Sequence, residues 1–202
     1  MKASDRLLLN NKSWAQERVA SDPTFFQRLA KDQRPEFLWI GCSDSRVPAN
    51  QITGTDAGEI FVHRNIANIV HRDDLNVASV LRYSVMVLRV KHVVVCGHEA
   101  CGGVRRALGD GDDLGEIDVW LRRLRAVRTE REHELAPLDE RAREIRLCEL
   151  NVIDQIRTLA GHPVIRDAVR AGHPPKLHGW VYALSDGLLR DLISIDPSEA
   201  QP

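Results

Sequence analysis

The run at residues 92–97 constrains the fold more than any other stretch of the chain. Val93, Val94 and Val95 stand side by side in it, followed by Cys96 and Gly97. β-Branched residues favour extended backbone, and an apolar run without polar alternation is typical of a strand that is buried on both faces. Such strands occupy the middle of parallel sheets, so this run predicts a central parallel strand.

Further strand predictions flank this run in the chain. Apolar residues at 37–40 predict a strand that ends at Gly41, where we expect the backbone to turn into a loop. Residues 59–64 and 177–184 predict two more strands, and residues 187–195 predict an edge strand that turns back. The sequence therefore predicts four mostly parallel strands and an antiparallel edge strand.

Helical patterns lie between the strands and before them. Apolar residues at helical spacing predict helices near residues 75–88, 117–127 and 138–160, the second with arginines on its outer side. This alternation predicts an α/β fold, a mostly parallel central sheet flanked by helices, and the 202 residues suit a single domain. Residues 1–34 predict two helices, an N-terminal arm that could pack on its own domain or on a partner subunit.

Composition and charge bound the partners and the location. The formal net charge of -1 gives no electrostatic reason to expect nucleic acid or an anionic membrane as a partner. No apolar segment approaches the length of a membrane span and the start of the chain lacks signal-peptide features, so we expect a cytoplasmic protein whose cysteines are reduced. The arginines between residues 122 and 128 could suggest RNA, but the acids that follow them favour a solvated helix face.

Two short segments carry side chains that suit a metal ion. Cys42 follows the strand predicted at residues 37–40, while His98 and Cys101 follow the central run in a glycine-flanked loop. Two thiolates and an imidazole suit zinc with a fourth position left open, and soft sulfur argues against magnesium or calcium. We expect Arg46 to clamp Asp44 beside the ion through a two-toothed guanidinium–carboxylate bond.

The remaining cysteines and a nearby acid have plainer interpretations. We expect Cys96 to be buried facing away from the metal loop and Cys148 to lie on the core stripe of a long helix, so neither is a predicted ligand. Glu99 stands between His98 and Cys101, and we expect its carboxylate to point to water.

These segments resemble the β-class carbonic anhydrases. The resemblance rests on Cys42-Ser43-Asp44-Ser45-Arg46 and on His98-x-x-Cys101-Gly102-Gly103, and it extends to residues 61–68, 148–152 and 178–182. It implies a carbonate dehydratase that hydrates carbon dioxide reversibly to bicarbonate and a proton, with one Zn²⁺ per subunit. The expected substrate partners are therefore carbon dioxide and bicarbonate.

The chemistry expected of Asp44 and Arg46 can be argued beside the resemblance. Zinc lowers the pKa of bound water, but two thiolates cancel the formal charge of the ion and weaken that effect. A carboxylate that orients hydroxide is therefore valuable, and Asp44, kept ionised by Arg46, is the predicted catalytic dyad. On its own, such a pair is more commonly a loop-stabilising ion pair.

The resemblance also implies regulation. Trp39, Arg64 and Tyr182 match residues that form a non-catalytic bicarbonate site in one subgroup of the family. Bicarbonate there is linked to a closed state, favoured by low pH, in which the residue at the position of Asp44 occupies the place of water on zinc. Taken separately, these residues could be a strand filler, an ion-pair partner and an edge aromatic.

A substrate pocket and an oligomer are implied in the same way. The resemblance implies a narrow apolar pocket and a dimer, often paired into a tetramer, with the N-terminal helices wrapped across the partner. The pocket residues would be Gln33, Phe61, Ile66, Tyr83 and Gly102, although spacing alone favours Phe61 and Ile66 as core residues. Two other functions remain open: hydrolysis of carbonyl sulfide or carbon disulfide, and a non-catalytic bicarbonate-binding zinc protein.

Overall fold

The computed structural model describes residues 1–31, 33–109, 111 and 113–199. A sheet with five strands forms the centre of residues 35–199. Its strands are, in chain order, β1 Phe37–Cys42, β2 Ile60–Asn65, β3 His92–His98, β4 Lys176–Tyr182 and β5 Leu189–Ile195. They lie in the order β2-β1-β3-β4-β5, with β1 to β4 parallel and β5 antiparallel to β4. The predicted fold class is therefore confirmed.

The described helices agree with most of the predicted pattern. They are α1 Ala3–Ser21, α2 Phe25–Lys31, α3 Ala49–Thr53, α4 Leu75–Arg82, α5 Gly102–Leu108, α6 Glu116–Trp120, α7 Arg122–Glu130, α8 Glu132–Leu135, α9 Glu140–Ala160 and α10 Pro163–Arg170. The carboxylates of Asp74 and Asp139 cap α4 and α9 by accepting hydrogen bonds from backbone N–H groups of the first turn.

Two predicted helices are interrupted. The helix predicted at residues 75–88 ends as an α-helix at Arg82 and continues as a π-helical turn at Tyr83–Val87. The helix predicted at residues 117–127 is broken at Leu121, whose side chain is completely buried between α6 and α7. The apolar spacing identified the buried side of the second segment and part of that of the first, where Leu75 is 81% exposed, and it did not detect the breaks.

Arg122 of α7 is exposed as the sequence predicts, but the other three arginines of this helix are only partly solvated. Arg123 pairs with Asp154 of α9, Arg125 pairs with Asp118 of α6, and Arg128 donates to the carbonyl groups that end α5. Each of these side chains ties α7 to a neighbouring helix, because a guanidinium group offers several donors that partly buried acceptors need.

Gly41 lies inside β1 and does not turn the chain, contrary to the sequence-based expectation. The strand continues to Cys42, and residue 41 pairs with both neighbouring strands. A Cβ atom at Gly41 would lie 2.8 Å from Nε1 of Trp39, so the glycine is needed for close packing of the indole.

The two faces of the sheet are covered differently. Leu38, Ile40, Val93, Val95 and Leu177 are buried on one face in a core cluster with side chains of α4, α9 and α10. On the other face, the described part of the chain contributes only short segments, chiefly α3 and the residues after β1, to the cluster around Trp39 and Tyr182.

Residues 1–34 form a separate compact unit, made of α1 and α2. Trp14, Phe25 and Phe26 meet edge to face with ring centroids 5.1–6.2 Å apart. Asp22 accepts hydrogen bonds from the backbone and hydroxyl of Thr24 at the start of α2, as expected for a helix cap. No residue of α1 is buried in this chain. Across the described residues, no helix combines the length and the apolar character that crossing a bilayer requires.

Candidate metal centre and active site

The metal-ligand candidates meet because β1 and β3 are parallel neighbours. Cys42 is the last residue of β1 and His98 is the last residue of β3, while Cys101 directly precedes α5. After β1 the chain adds β2 on one side of this strand and then β3 on its other side. In open α/β sheets, ligands commonly bind at the carboxyl ends of two such neighbouring strands.

The geometry of the three side chains suits a single ion. Their ligand atoms lie within 4.8 Å of one another, and the two Sγ atoms are 3.7 Å apart. At most 1% of each residue is exposed. Within the part of the chain that the structure describes, no other group of three such side chains meets these conditions.

His98 carries the clearest sign of a metal-binding role. Its Nδ1 lies 2.8 Å from the carbonyl oxygen of Glu99, which fixes the imidazole ring and directs its other nitrogen towards the cysteines. Nε2 is buried and has no hydrogen-bond partner among the described residues. A buried polar atom without a partner is costly, and a Cys-His-Cys donor set satisfies this atom with zinc. The residues present therefore fit the ion.

The cysteine pair is arranged to carry negative charge. The hydrogen bond from the Cys101 thiol lowers the pKa of Cys42 to about 4, with help from the backbone N–H groups of Asp44 and Ala67 and against the effect of burial. The same contact and burial raise the pKa of Cys101. Asp44 N and Ala67 N lie 3.4 and 3.2 Å from Cys42 Sγ. At neutral pH the pair therefore holds a thiolate, which is the form that binds metal.

Asp44 is held mainly by a backbone group. Its Oδ2 accepts a hydrogen bond of 2.9 Å from the N–H of Gly102, while Oδ1 lies 3.6 Å from Nη2 of Arg46. The expected two-toothed clamp is absent, because Nη2 of Arg46 is also directed to the carbonyl oxygen of Ala100, at 3.4 Å. The Gly102 N–H first, and then the charge of Arg46, lower the pKa of Asp44, so this carboxyl group is ionised near neutral pH.

Left-handed backbone concentrates around this site. Arg46, Ala67, Asn68 and Ala100 have φ values of 65°, 60°, 48° and 57°. Non-glycine residues rarely adopt this conformation, and local strain of this kind is typical of functional sites.

Behind the metal ligands lies a small cavity of about 20 Å³. Trp39, Arg64 and Tyr182 all line it, together with Gly41 and Gly97, which precede the ligands Cys42 and His98. The structure thus brings together the three residues predicted to bind regulatory bicarbonate.

Arg64 connects this cavity to the metal centre. Its Nε and Nη2 donate to the carbonyl oxygen of Cys42 at 3.0 and 2.7 Å. The same guanidinium donates to Ser45 Oγ and, at 3.4 Å, to the carbonyl oxygen of Val47. One side chain therefore fixes both the end of β1 and the loop that carries Asp44 and Arg46.

The predicted substrate-pocket residues are only partly brought together. The rings of Phe61 and Tyr83 lie 5.8 Å apart, and 44% of Tyr83 is exposed. Ile66 is half-buried beside α5, where its Cγ2 would lie 3.1 Å from a Cβ at Gly103. Gln33 is exposed and belongs to the N-terminal unit. Gly102 contributes the N–H that holds Asp44.

Other side chains near the loop have structural partners. Glu99 accepts a solvent-exposed hydrogen bond from Ser185 Oγ at 3.2 Å, so the protein also holds this carboxylate. Cys96 lines the cavity and donates to the carbonyl oxygen of Gly97, whereas Cys148 donates to the carbonyl oxygen of His98. Neither belongs to the metal group, as the sequence predicts.

Sequence reasoning missed the backbone groups of the site. The N–H groups of Ala67 and Gly102 contact Cys42 and Asp44, respectively. Nothing in a side-chain pattern identifies such contacts, although Ala67 lies in residues 61–68, a segment that resembles the family.

Comparisons with known proteins agree on one family. The carbonic anhydrase family model matches residues 37–189. A carbonic anhydrase of Emericella nidulans is 50% identical over 189 residues, which cover 93% of this chain and 82% of that protein. A carbonic anhydrase of Pseudomonas aeruginosa is 39% identical over 168 residues, which cover 80% of this chain and 75% of that protein.

Solved structures show the same similarity in three dimensions. One is a tetrameric β-carbonic anhydrase of Sordaria macrospora, with a TM-score of 0.90 at 43% identity, covering 95% of this chain and 98% of that chain. Another is a Coccomyxa β-carbonic anhydrase in complex with acetazolamide, with a TM-score of 0.91 at 36% identity, covering 96% of this chain and 89% of that chain.

Proposed function

This chain belongs to the β-class carbonic anhydrases, zinc enzymes of carbon dioxide hydration, and we propose how its own residues perform and regulate that reaction. The observation that carries the proposal is the buried Cys42–His98–Cys101 group, with an unpartnered His98 Nε2, beside the ionised Asp44. Cys42, His98 and Cys101 hold the ion, and Asp44 and Arg46 act on the reacting water.

The ion and the protein divide the chemistry between them. When bound, Zn²⁺ lowers the pKa of water and so supplies a nucleophile at neutral pH. Cys42 and Cys101 bring two negative charges to the ion and weaken this acidification. The protein compensates by orienting the nucleophile, which requires a fixed acceptor.

Asp44 is that acceptor. Its carboxylate is acceptor-only when ionised, and the Gly102 N–H already occupies Oδ2. Oδ1 remains able to accept the hydrogen of the attacking oxygen, so that a lone pair of that oxygen is directed towards carbon. Arg46 assists through its charge, and its 3.6 Å contact leaves the carboxylate free to move.

Stopped-flow measurement of carbon dioxide hydration by the zinc-loaded protein tests this mechanism. We expect turnover that requires zinc and disappears with a chelator. Carbonyl sulfide and carbon disulfide are measured in parallel: faster turnover of either would assign the site to that hydrolysis. Zinc-loaded protein without any of these activities would leave a bicarbonate-binding protein and overturn the enzymatic proposal.

We further propose that bicarbonate closes the site. In the closed state Asp44 would leave Gly102 and would itself serve as a ligand in place of water. The long Asp44–Arg46 contact supports this, since both side chains are substantially exposed, at 37% and 50%, and an exposed pair of this kind contributes little stability.

Bicarbonate would act through Arg64. A cavity of about 20 Å³ has room for one water-sized group, so a larger anion between Trp39 and Tyr182 requires the Arg64 side chain to move. An anion also competes for the guanidinium donors that hold the Cys42 carbonyl, Ser45 and Val47. Release of this loop would free Asp44.

Tyr182→Phe tests the switch without disturbing the metal centre, because Tyr182 lines the cavity and lies outside the Cys42–His98–Cys101 group. Initial hydration rates are measured across pH, with and without added bicarbonate. The unmodified protein is expected to lose activity towards acid and in bicarbonate, and the variant to be less sensitive to bicarbonate. A flat, bicarbonate-insensitive profile of the unmodified protein would remove the switch.

The assembly and location belong to the same proposal. We propose a homodimer, paired into a tetramer, in which residues 1–34 pack on a partner subunit and Gln33 and Tyr83 complete the neighbouring pocket. The tetrameric Sordaria macrospora relative supports this. The free thiols of the four cysteines support a reducing, cytoplasmic location.

A further inference from the structure

A buried amide connects α9 to the sulfur of a metal ligand. Asn151 lies on α9 and is completely buried, and its Nδ2 donates to the carbonyl oxygen of Ala67 at 2.9 Å. The N–H of the same residue, Ala67, donates to Cys42 Sγ at 3.2 Å. Asn151 is therefore linked to Cys42 by two hydrogen bonds that run through the backbone of Ala67.

A second amide on the next turn of α9 fixes Asn151. Gln155 is completely buried, and its Nε2 donates to Asn151 Oδ1 at 3.0 Å. Its Oε1 accepts a hydrogen bond of 2.8 Å from the N–H of Val70. The two amides thus orient each other and satisfy backbone groups of residues 67–70, which have no strand partners there.

The turn they hold is strained and enclosed. Ala67 and Asn68 are both left-handed, with φ values of 60° and 48°, a conformation that persists in non-glycine residues only when the surroundings impose it. On the opposite side, a Cβ at Gly103 would lie 3.0 Å from the Cβ of Ala67, so α5 packs directly on the turn. The turn is held between α5 and α9.

We propose that Asn151 is a positioning residue that controls the metal centre through the Ala67 N–H on Cys42 Sγ. A hydrogen bond to a thiolate withdraws electron density from sulfur and so limits the electron density that sulfur donates to the ion. The α9 amide therefore governs both the position and the electron donation of Cys42. This inference rests on the metal centre of the proposed function, but its tests need no turnover and no bicarbonate, so failure of either proposal can be recognised separately.

Asn151→Ala in the cobalt-substituted protein tests the proposal. Without the Asn151 hydrogen bond, the Ala67 N–H no longer holds Cys42 Sγ, so sulfur is more electron-rich and the sulfur-to-cobalt charge-transfer band moves to longer wavelength. Zinc affinity falls roughly 10-fold because Cys42 is no longer held in position for the ion. Leu159→Ala is the control: Leu159 is equally buried on α9 but packs in the core cluster with Leu38 and Val93, which does not contain Cys42. It should lower the melting temperature and leave the band unchanged. An unchanged band in Asn151→Ala would overturn the proposal.

Two further measurements apply if Asn151→Ala does not fold. Gln155→Met keeps a similar volume and removes the orienting amide, and it should shift the band in the same direction by a smaller amount. In the unmodified protein loaded with ¹¹³Cd, the Ala67 amide proton should show scalar coupling to the metal through the N–H···S bond. Absence of that coupling, or an unshifted band in Gln155→Met, would overturn the proposal.

Discussion

At the scale of single residues, the site depends on backbone donors as much as on charged side chains. Asp44 is bound closely by Gly102 N–H and only loosely by Arg46. Cys42 receives two backbone N–H groups, from Asp44 and Ala67. Backbone donors are fixed by the fold and cost no side-chain entropy, so they suit a site whose carboxylate must be held in one orientation.

Asp44→Asn should remove activity but not zinc. The substitution removes the charge and the full acceptor capacity of the carboxylate, and we expect hydration to fall by about 10²–10⁴-fold. The metal content, measured by elemental analysis, should remain that of the unmodified protein because Asp44 lies outside the Cys42–His98–Cys101 group. Asp73→Asn, at an exposed position, is the control. Wild-type turnover by Asp44→Asn would contradict the dyad mechanism.

Asp118 should make stability depend on pH. The Arg106 guanidinium first, and then the Leu114 N–H, hold the pKa of this carboxyl below its ordinary value. A depressed folded-state pKa contributes stability above the ordinary pKa of about 4, and that contribution is lost as the pH falls through the folded-state value. Asp118→Asn should therefore be destabilised at neutral pH, and the difference should shrink on acidification. Urea unfolding at several pH values measures the free energy of unfolding of the unmodified protein and of Asp118→Asn. A difference between the two that does not change with pH would contradict a lowered pKa of Asp118.

At the scale of elements, α9 organises the site from one face of the sheet. Cys148 and Asn151 are three residues apart and reach the carbonyl groups of His98 and Ala67. This close approach is possible because glycines face the helix: a Cβ at Gly97 would lie 2.8 Å from Val152 Cγ2.

Gly179→Ala should separate α9 from the sheet. An added Cβ would lie 2.7 Å from Ile193 Cγ2, 2.9 Å from Val152 Cγ1 and 3.0 Å from Ile156 Cγ1. Overpacking of this kind lowers the free energy of unfolding by about 1–3 kcal/mol. Gly109→Ala is the matched control, because the nearest atom there is 3.8 Å away. Equal free energies of unfolding of the two variants would show that the packing around Gly179 accommodates an added methyl group, against this prediction.

At the scale of the whole molecule, apolar surface remains uncovered in the isolated chain. Leu7, Leu8 and Trp14 of α1 are 66%, 71% and 40% exposed. Monomeric proteins seldom leave such side chains together in water, so the arm has the character of an interface.

Leu8→Glu should weaken the assembly. Light scattering of the unmodified protein should give a multiple of 22.8 kDa. Burial of one leucine contributes about 1.5–3 kcal/mol, so its replacement should raise the dissociation constant roughly 10-fold or more. Asn11→Glu, an exposed polar position on the same helix, is the control. An unchanged mass of Leu8→Glu at low concentration would contradict an interface at α1.

The strands and the metal ligands were predictable because their signals are local. Val93, Val94 and Val95 lie in β3, and Cys42, His98 and Cys101 stand at or just after the carboxyl ends of the paired strands β1 and β3. The interior position of Gly41 was not predictable, since it depends on where the Trp39 indole lies.

The sequence by itself determined the strands of the sheet, the alternation of strands and helices, and the candidate metal group of Cys42, His98 and Cys101, because periodicity and ligand chemistry are properties of side-chain type. Only the tertiary structure decided that Ala67 N–H reaches Cys42, that Gly102 N–H holds Asp44, and that Asn151 supports the turn. Every residue except proline carries the same N–H group, so a sequence contains no sign of which one faces a ligand. That choice is made by the packing of α5 and α9 around the carboxyl ends of β1 and β3.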